Sequence, residues 1–266
     1  MRFLRRAFAY LLNYLGFDLK RAVRKRYHIG EDFFSQDLGS HRVPLYRYAV
    51  EAAFSVDGMT SARVCEELFL RALTQPIDGN VVEIGVWKGR SAICLALGVL
   101  SSQNGRLICI DHFEGNRGKE RSYFKSGETV SDIKSSFLST ARQFGFDKQL
   151  VLIDESSIGA SEKIQDDSVR LLFIDGDHSL FGVTGDVLAY WDKLKVGGSI
   201  LFDDFNVNSF PGVVEAVSVL LSHGCITKSV LIERLFVATK TADGDSEKCL
   251  WALRELHENA RDLDAV

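Results

Sequence analysis

The 266-residue sequence lacks the cysteine pairs and long apolar runs that mark disulfide-rich, zinc-binding and membrane-spanning proteins. Its five cysteines are scattered, and no two of them form a C-x-x-C pair. This pattern favours a reducing compartment and predicts neither a disulfide framework nor a structural zinc site. The apolar stretch from Ala7 to Phe17 has 11 residues, whereas a membrane-spanning helix needs about 20. No small-residue cleavage site follows it, so we expect a cytoplasmic protein without a signal peptide.

The charge of the chain is unevenly distributed. Residues 1–26 contain eight lysines and arginines and one acid, a net charge of +7, which leaves −11 for the rest because the whole chain carries −4. An acidic body argues against nucleic acid as a partner, since phosphate binding needs a basic surface. Residues 1–26 are predicted to pack as a helix on the domain or on a second subunit of a homo-oligomer. The alternative is an amphipathic helix in peripheral contact with the inner membrane surface.

From Val81 onward, short apolar runs alternate with longer amphipathic stretches, which is typical of βαβ units and a parallel sheet. Two late runs, Val230–Ile232 and Leu235–Ala238, are too close for a crossover helix and predict an antiparallel pair or one bulged strand. We predict an α/β, doubly wound, Rossmann-like fold with a seven-stranded, mostly parallel sheet and helices on both faces. The other predicted strands are near-continuous apolar runs: Val81–Ile84, Leu107–Ile110, Leu150–Ile153, Leu171–Ile174 and Ser199–Phe202.

Helices are predicted between these strands and after them. The chain is predicted to divide into a helical extension at 1–75, basic at its start, an α/β domain at 76–240 and a C-terminal helix at 241–266 packed on that domain. The predicted helices after residue 80 lie near Ser91–Leu100, Val130–Phe144, Ala160–Ile164, Val183–Leu194, Val213–His223 and Ser246–Leu263.

A glycine turn follows the first predicted strand. Gly85 and Gly89 have the spacing G-x-x-x-G, and glycines there let the backbone turn sharply and approach a ligand closely. The spacing differs from the G-x-G-x-x-G that seats a dinucleotide pyrophosphate, so a dehydrogenase is the weakest interpretation. Glu83 would repel a phosphate but suits a ligand that carries an amino group and a sulfonium.

Polar residues also follow the second and third strands. Asp111 lies 22 residues beyond Gly89, where an acid can accept hydrogen bonds from ribose hydroxyls. A solvated strand-end cap is the alternative. Ser157, after the third strand, can hydrogen-bond an adenine, but a helix N-cap explains it equally well.

Three aspartates follow the fourth and fifth strands. Asp175 and the pair Asp203-Asp204 are 28 residues apart, a distance that accommodates one helix and a turn between neighbouring strands. Carboxylates that converge at one sheet edge need protons or a cation to neutralise them. An all-oxygen set suits Mg²⁺, Mn²⁺ or Ca²⁺. The alternative is a set of unconnected caps and loop acids.

Four segments then carry a resemblance to a known family: VVEIGVWKGRS, ICIDHFEG, LLFIDGDHS and GGSILFDDF. They resemble the class I methyltransferases of the macrocin and aminocoumarin sugar O-methyltransferase group, and more widely the catechol-type metal-dependent O-methyltransferases. The resemblance covers roughly residues 80–205. It implies S-adenosylmethionine with Glu83, Gly85 and Gly89 along its methionine portion and Asp111 on its ribose, and Mg²⁺ or another divalent cation bound by Asp175, Asp203 and Asp204. Ser91, His112, Ser157 and Asp175 are further candidate cofactor-binding residues.

The resemblance leaves the general base open. Catechol-type relatives have a lysine three residues after the first metal-binding aspartate, and this chain has His178 there. Sugar-modifying members assign proton removal to the first aspartate, here Asp175. Either residue is therefore a candidate catalytic base.

The combined features predict an S-adenosylmethionine-dependent O-methyltransferase, assisted by a divalent metal, that acts on a hydroxyl of a small molecule or sugar, with a vicinal diol favoured. The alternatives are an accessory protein that binds the cofactor without turnover and a hydroxylase-labelled relative of the same fold. The charged stretch Phe113–Lys134 is predicted to form a mobile lid rather than an ordinary insertion. Trp87 and Phe113 can stack on a cofactor or substrate ring or pack in the core.

Overall fold

The computed structural model describes residues 45–115, 124–242, 244 and 246–263. The predictions for residues 1–26 and for the middle of the proposed lid lie outside these ranges. Within them, no helix combines the length and the apolar character needed to cross a membrane.

Helices and strands alternate along the described chain. Two helices precede the first strand, and one helix follows the last. The helices are α1 (Leu45–Phe54), α2 (Ala62–Thr74), α3 (Arg90–Ser102), α4 (Val130–Gln143), α5 (Ser157–Ser161), α6 (Leu180–Tyr190), α7 (Pro211–Ser222) and α8 (Ser246–Leu263). The strands are β1 (Asn80–Ile84), β2 (Leu107–Ile110), β3 (Leu150–Ile153), β4 (Val169–Ile174), β5 (Leu194–Phe202), β6 (Ile226–Ile232) and β7 (Leu235–Lys240).

The seven strands form one sheet in the order β3-β2-β1-β4-β5-β7-β6. The first five strands are mutually parallel. The strand β7 lies between β5 and β6 and is antiparallel to both. A two-residue turn connects β6 to β7. The predicted seven-stranded, mostly parallel α/β sheet is confirmed, and the two late runs form an antiparallel pair.

Helices cover both faces of the sheet because successive strand residues point to opposite sides. Val81 packs in a core with α1, α2, α3 and α4, whereas its neighbour Val82 packs in a second core with α5, α6, α7 and α8. Leu68 and Phe69 of α2 are buried in the first of these cores, so α2 is integrated with the sheet. The predicted domain boundaries at residues 75 and 240 stay predictions.

The helix after β3 differs from its prediction of Ala160–Ile164. It begins at Ser157, because the side chain of Ser156 accepts a hydrogen bond from the backbone N–H of Gly159 and caps the first turn. The predicted N-cap role of Ser157 therefore belongs to Ser156.

Candidate active site

The carboxyl ends of the parallel strands open into a cavity of about 1030 Å³. Open α/β sheets bind ligands at this edge, where neighbouring strands lead into loops. Backbone hydrogen bonds hold the first residues after the strands in a row: Asp175 N–H donates to Ile84 O at 2.9 Å, and Asp203 N–H donates to Ile174 O at 3.0 Å. Among the predicted site residues, the cavity is lined by Gly85, Ser91, Asp111, His112, Ser157, Asp175, His178, Asp203 and Asp204.

The two glycines of the turn make room for the protein's own atoms. Gly85 has φ +84°, and a Cβ there would lie 2.2 Å from the carbonyl oxygen of Asp175. Gly89 has φ +93° and precedes α3, and a Cβ there would lie 2.8 Å from the ring of Phe137. Both glycines are thus required by close packing, and Gly85 also lines the cavity. Their predicted contact with a cofactor stays a prediction.

Glu83 lies beneath the glycine turn and is fully buried. Its carboxyl accepts hydrogen bonds from the Ser91 hydroxyl and, at 3.7 Å, from the Cys109 thiol. Burial raises the pKa of Glu83 to about 8, so this carboxyl is largely protonated at neutral pH. The structure therefore places Glu83 as a support between β1 and α3, while Ser91 borders the cavity.

Asp111 connects the turns after β1 and β2. Its Oδ2 accepts from the backbone N–H groups of Val86 and Trp87 at 2.8 and 2.7 Å, and its Oδ1 accepts from Phe113 N–H at 2.6 Å. A carboxylate offers about four acceptor positions, so one stays available for a ribose hydroxyl. His112, which is exposed, also lines the cavity.

Phe113 and Trp87 differ in their surroundings. Phe113 is buried, and its ring centroid lies 6.1 Å from that of Phe137, so it packs in the core. Trp87 lines the cavity, and its buried Nε1 has no hydrogen-bond partner among the described residues. Phe113 also borders the cavity, so both rings can contact a ligand, and Trp87 is the less buried of the two.

Beyond β3, the Ser157 side chain hydrogen-bonds Asp186 on α6, and the Ser157 carbonyl accepts from the Tyr190 hydroxyl at 2.7 Å. Asp186 is buried, lines the cavity, and has a pKa raised to about 7 by burial. The sequence reasoning missed Asp186. An acid within the otherwise apolar run of α6 was the available signal.

The three predicted aspartates do converge. A hydrogen bond joins the carboxyls of Asp175 and Asp203, which requires one of them to carry a proton. Burial, reinforced by Asp204, raises the pKa of Asp175 to about 7. Burial, reinforced by Asp175, raises the pKa of Asp203 to about 8. Neighbouring strand ends thus place at the cavity a pair of carboxyls that share one proton and keep one negative charge.

His178 stands beside this cluster. Its Nε2 lies 3.5 Å from Asp175 Oδ1, and its ring packs on Phe210 at a centroid distance of 4.9 Å. Burial lowers the pKa of His178, which favours the neutral imidazole. No residue in the described part of the chain hydrogen-bonds its Nε2.

Arg234, in the turn between β6 and β7, is a second site residue that was not predicted from the sequence. Its Nη1 lies 3.0 Å from Asp204 Oδ1, and its Nη2 lies 3.3 Å from Asp203 Oδ2. The same Nη2 donates to the Met59 carbonyl at 2.9 Å. One guanidinium therefore links both aspartates to the segment between α1 and α2.

The predicted metal site does not fit this arrangement. In the parts of the chain that the structure describes, no three acidic, histidine or cysteine side chains form a group that could hold a metal ion. Arg234 supplies positive charge to Asp203 and Asp204, and a shared hydrogen bond joins Asp175 to Asp203. Mg²⁺ ligation needs ionised oxygens around the ion, and these carboxyls are engaged otherwise.

Comparison with known proteins agrees with this geometry. Residues 82–205 match a family model described as a methyltransferase domain. No curated protein matches the sequence. Among solved structures, the chain is similar to the O-methyltransferase NovP, with a TM-score of 0.59 and 15% identity, over 84% of this chain and 100% of that one.

Two further solved structures share the fold. A protein from Corynebacterium glutamicum has a TM-score of 0.56 and 17% identity, over 80% of this chain and 96% of that one. The O-methyltransferase TomG from Streptomyces achromogenes, involved in tomaymycin synthesis, has a TM-score of 0.53 and 16% identity, over 82% and 99%. At such identities the likeness concerns the fold. The family match goes further than the fold: residues 82–205 match a methyltransferase domain, which supports methyltransferase activity in this chain.

Proposed function

We propose that this methyltransferase takes its methyl group from S-adenosylmethionine and transfers it to a hydroxyl oxygen of a small molecule or sugar. The observation that carries the proposal is the juxtaposition, in one cavity, of the glycine turn with its Asp111 carboxylate and the cluster of Asp175, Asp203 and His178. The first group suits a sulfonium nucleoside, and the second suits an acceptor that must lose a proton. Solved structures of similar fold include TomG in complex with this methyl donor.

The donor half of the cavity extends from β1 to β3. Asp111 has one acceptor position free for a ribose hydroxyl, and Ser157 and Asp186 border the cavity beyond β3. Ser91 stands at the start of α3, where the partial positive charge of a helix N-terminus favours a carboxylate such as that of the methionine portion.

The acceptor half surrounds the ends of β4 and β5. The acceptor oxygen attacks the sulfonium methyl carbon in line with the sulfur, so an oxygen–carbon bond forms while the carbon–sulfur bond breaks and its electron pair stays on sulfur. The protein's task is to align the two reactants and to accept the hydroxyl proton. Asp175, whose pKa near 7 matches neutral pH, and His178, a neutral imidazole, are the two candidate bases.

A vicinal diol suits the remaining acceptor atoms. The buried Oδ1 atoms of Asp203 and Asp204 lack hydrogen-bond partners among the residues described, although Arg234 is at ion-pair distance from the second. Adjacent hydroxyls of a bound diol can donate hydrogen bonds to these two oxygens. Such bonds remove the free-energy cost of leaving buried oxygens without a partner. The metal-assisted form of the reaction would require displacement of Arg234.

Two measurements test this function. Calorimetry should show binding of S-adenosylmethionine and of its demethylated product, and no binding of NAD. Transfer of a labelled methyl group should then be assayed against sugars, polyketide glycosides and catechols, with matched acceptors in which one hydroxyl of a vicinal pair is absent. Binding of NAD in preference to the methyl donor would contradict the proposal, as would transfer only to nitrogen or carbon acceptors.

A further inference from the structure

The position of Arg234 follows from strand pairing. The strand β7 is antiparallel to β5, with Phe202 opposite Phe236, so the residue before β7 lies beside the residues after β5. The backbone N–H of Phe205 donates to the Arg234 carbonyl at 2.9 Å and holds the turn there. The register of the hairpin therefore delivers this guanidinium to the acidic end of β5.

The backbone of Asp204 completes the pairing. Consecutive residues of an extended strand point to opposite faces, which would separate the carboxyls of Asp203 and Asp204. Asp204 instead adopts a left-handed conformation, with φ +55°, and both carboxyls come within reach of Arg234. A residue with a side chain rarely adopts this conformation, and aspartate is among those that tolerate it best.

The guanidinium is a permanent charge on a side chain that is 31% exposed, and it faces two carboxyls that are much more deeply buried. Arginine stays protonated in proteins, and it matches paired oxygens better than a point charge does. The side chain of Asp203 is 2% exposed and that of Asp204 is 12% exposed, so solvent screens their pairing with Arg234 weakly. A divalent cation approaching these oxygens would meet this fixed positive charge.

We propose that Arg234 takes the place of a divalent cation at this site. Its guanidinium is the resident counter-charge of Asp203 and Asp204, and methyl transfer proceeds without a metal ion. The carbonyl of Met59, which accepts from the same guanidinium, is thereby tied to the acidic end of β5. Arg234 acts as a positioning residue: it holds the carboxyls in place for the acceptor. Metal-free turnover rests on the proposed function, whereas the absence of metal binding at Asp203 and Asp204 does not.

Manganese binding provides the test, because free Mn²⁺ has an electron paramagnetic resonance signal that is lost on binding. The wild-type protein is expected to leave that signal unchanged at micromolar Mn²⁺. Removing the guanidinium in Arg234→Ala should strengthen Mn²⁺ binding by roughly tenfold or more, because the carboxylates lose their counter-charge. Arg234→Lys, which keeps the charge, should bind no more Mn²⁺ than the wild type. The matched control is Arg71→Ala, which removes an arginine that pairs with Glu67 on α2 at 2.7 Å.

Three results would overturn the proposal. They are micromolar Mn²⁺ binding by the wild type with competition by Mg²⁺, a folded Arg234→Ala that gains no Mn²⁺ binding, and turnover that EDTA abolishes and Mg²⁺ restores. The wild-type titration decides the matter even where Arg234→Ala does not fold. A protein that methylates no acceptor but follows the expected Mn²⁺ pattern would contradict the proposed function alone.

Discussion

The buried carboxyl of Glu83 makes stability depend on pH in a way that one substitution should remove. Its pKa in the folded protein is about 8, against 4.5 for an unperturbed glutamate. Between these values the folded state binds more protons than the unfolded state, so the free energy of unfolding falls as pH rises. The loss amounts to about 1.4 kcal/mol per pH unit while the folded carboxyl stays protonated.

Glu83→Gln replaces the protonated carboxyl by a neutral group of the same shape. The amide oxygen can still accept from the Ser91 hydroxyl, so the packing of α3 on β1 should persist. The variant should therefore gain stability relative to the wild type by about 2 kcal/mol between pH 6 and pH 8, where the wild type loses stability through this group. This group contributes nothing to the pH dependence below about pH 4.5, where both states are protonated.

Urea denaturation at pH 6 and pH 8, followed by circular dichroism, measures this difference. Other buried acids titrate in the same range, and subtracting the wild-type change from that of the variant removes their contribution. Glu51→Gln is the matched control, because Glu51 is exposed on α1 and should leave the pH dependence unchanged. An equal stability difference between wild type and Glu83→Gln at the two pH values would refute the reasoning.

Three further predictions concern the cavity. Gly85→Ala should cost about 3 kcal/mol or more in urea denaturation, because its Cβ meets a carbonyl oxygen at 2.2 Å. Gly127→Ala should cost only about 1 kcal/mol, because Gly127 has a similar φ of +85° but open space around an added Cβ. Equal losses of stability in the two variants would contradict the clash at Gly85. Asp111→Asn should weaken calorimetric binding of S-adenosylhomocysteine by roughly 10- to 100-fold, because an amide N–H then faces backbone donors; unchanged affinity would remove Asp111 from the donor site. With Asp175 as the base, kcat/KM of the wild type should rise with pH up to about 7 and then level. Asp175→Asn should lower kcat/KM by roughly 100-fold, whereas His178→Gln should keep the rising limb of the pH profile. Loss of that limb in His178→Gln alone would assign the base to His178.

The sheet was predictable from sequence because its strands are near-continuous apolar runs, such as Leu107–Ile110, separated by helix-length stretches. Strand ends were predictable for the same reason. Asp175 and Asp203 follow apolar runs directly, and parallel strands bring their carboxyl ends to one edge. The start of α5 was misplaced because three consecutive polar residues precede it, and the spacing alone does not say which serine caps the helix.

The metal prediction rested on a premise about charge, and it stays a prediction. Sequence showed three carboxylates and the need to neutralise them, but it did not show which group does so. Arg234 stands 59 residues from Asp175, in a two-residue turn without a motif, and only the antiparallel register of β5 and β7 brings it close. Asp186 was likewise not predicted as a site residue, because an isolated acid in a helix is ordinarily solvated.

The residues that match the methyltransferase family, 82–205, do not by themselves complete the acidic site. They include Asp203 and Asp204, but the guanidinium that balances these carboxyls comes from Arg234, and the carbonyl that fixes the guanidinium comes from Met59. A register slip of two residues between β5 and β7 would move Arg234 by about 7 Å and leave both carboxyls without a counter-charge. Formation of the β6–β7 hairpin and the position of the segment between α1 and α2 are therefore coupled to the charge balance at the acidic end of β5.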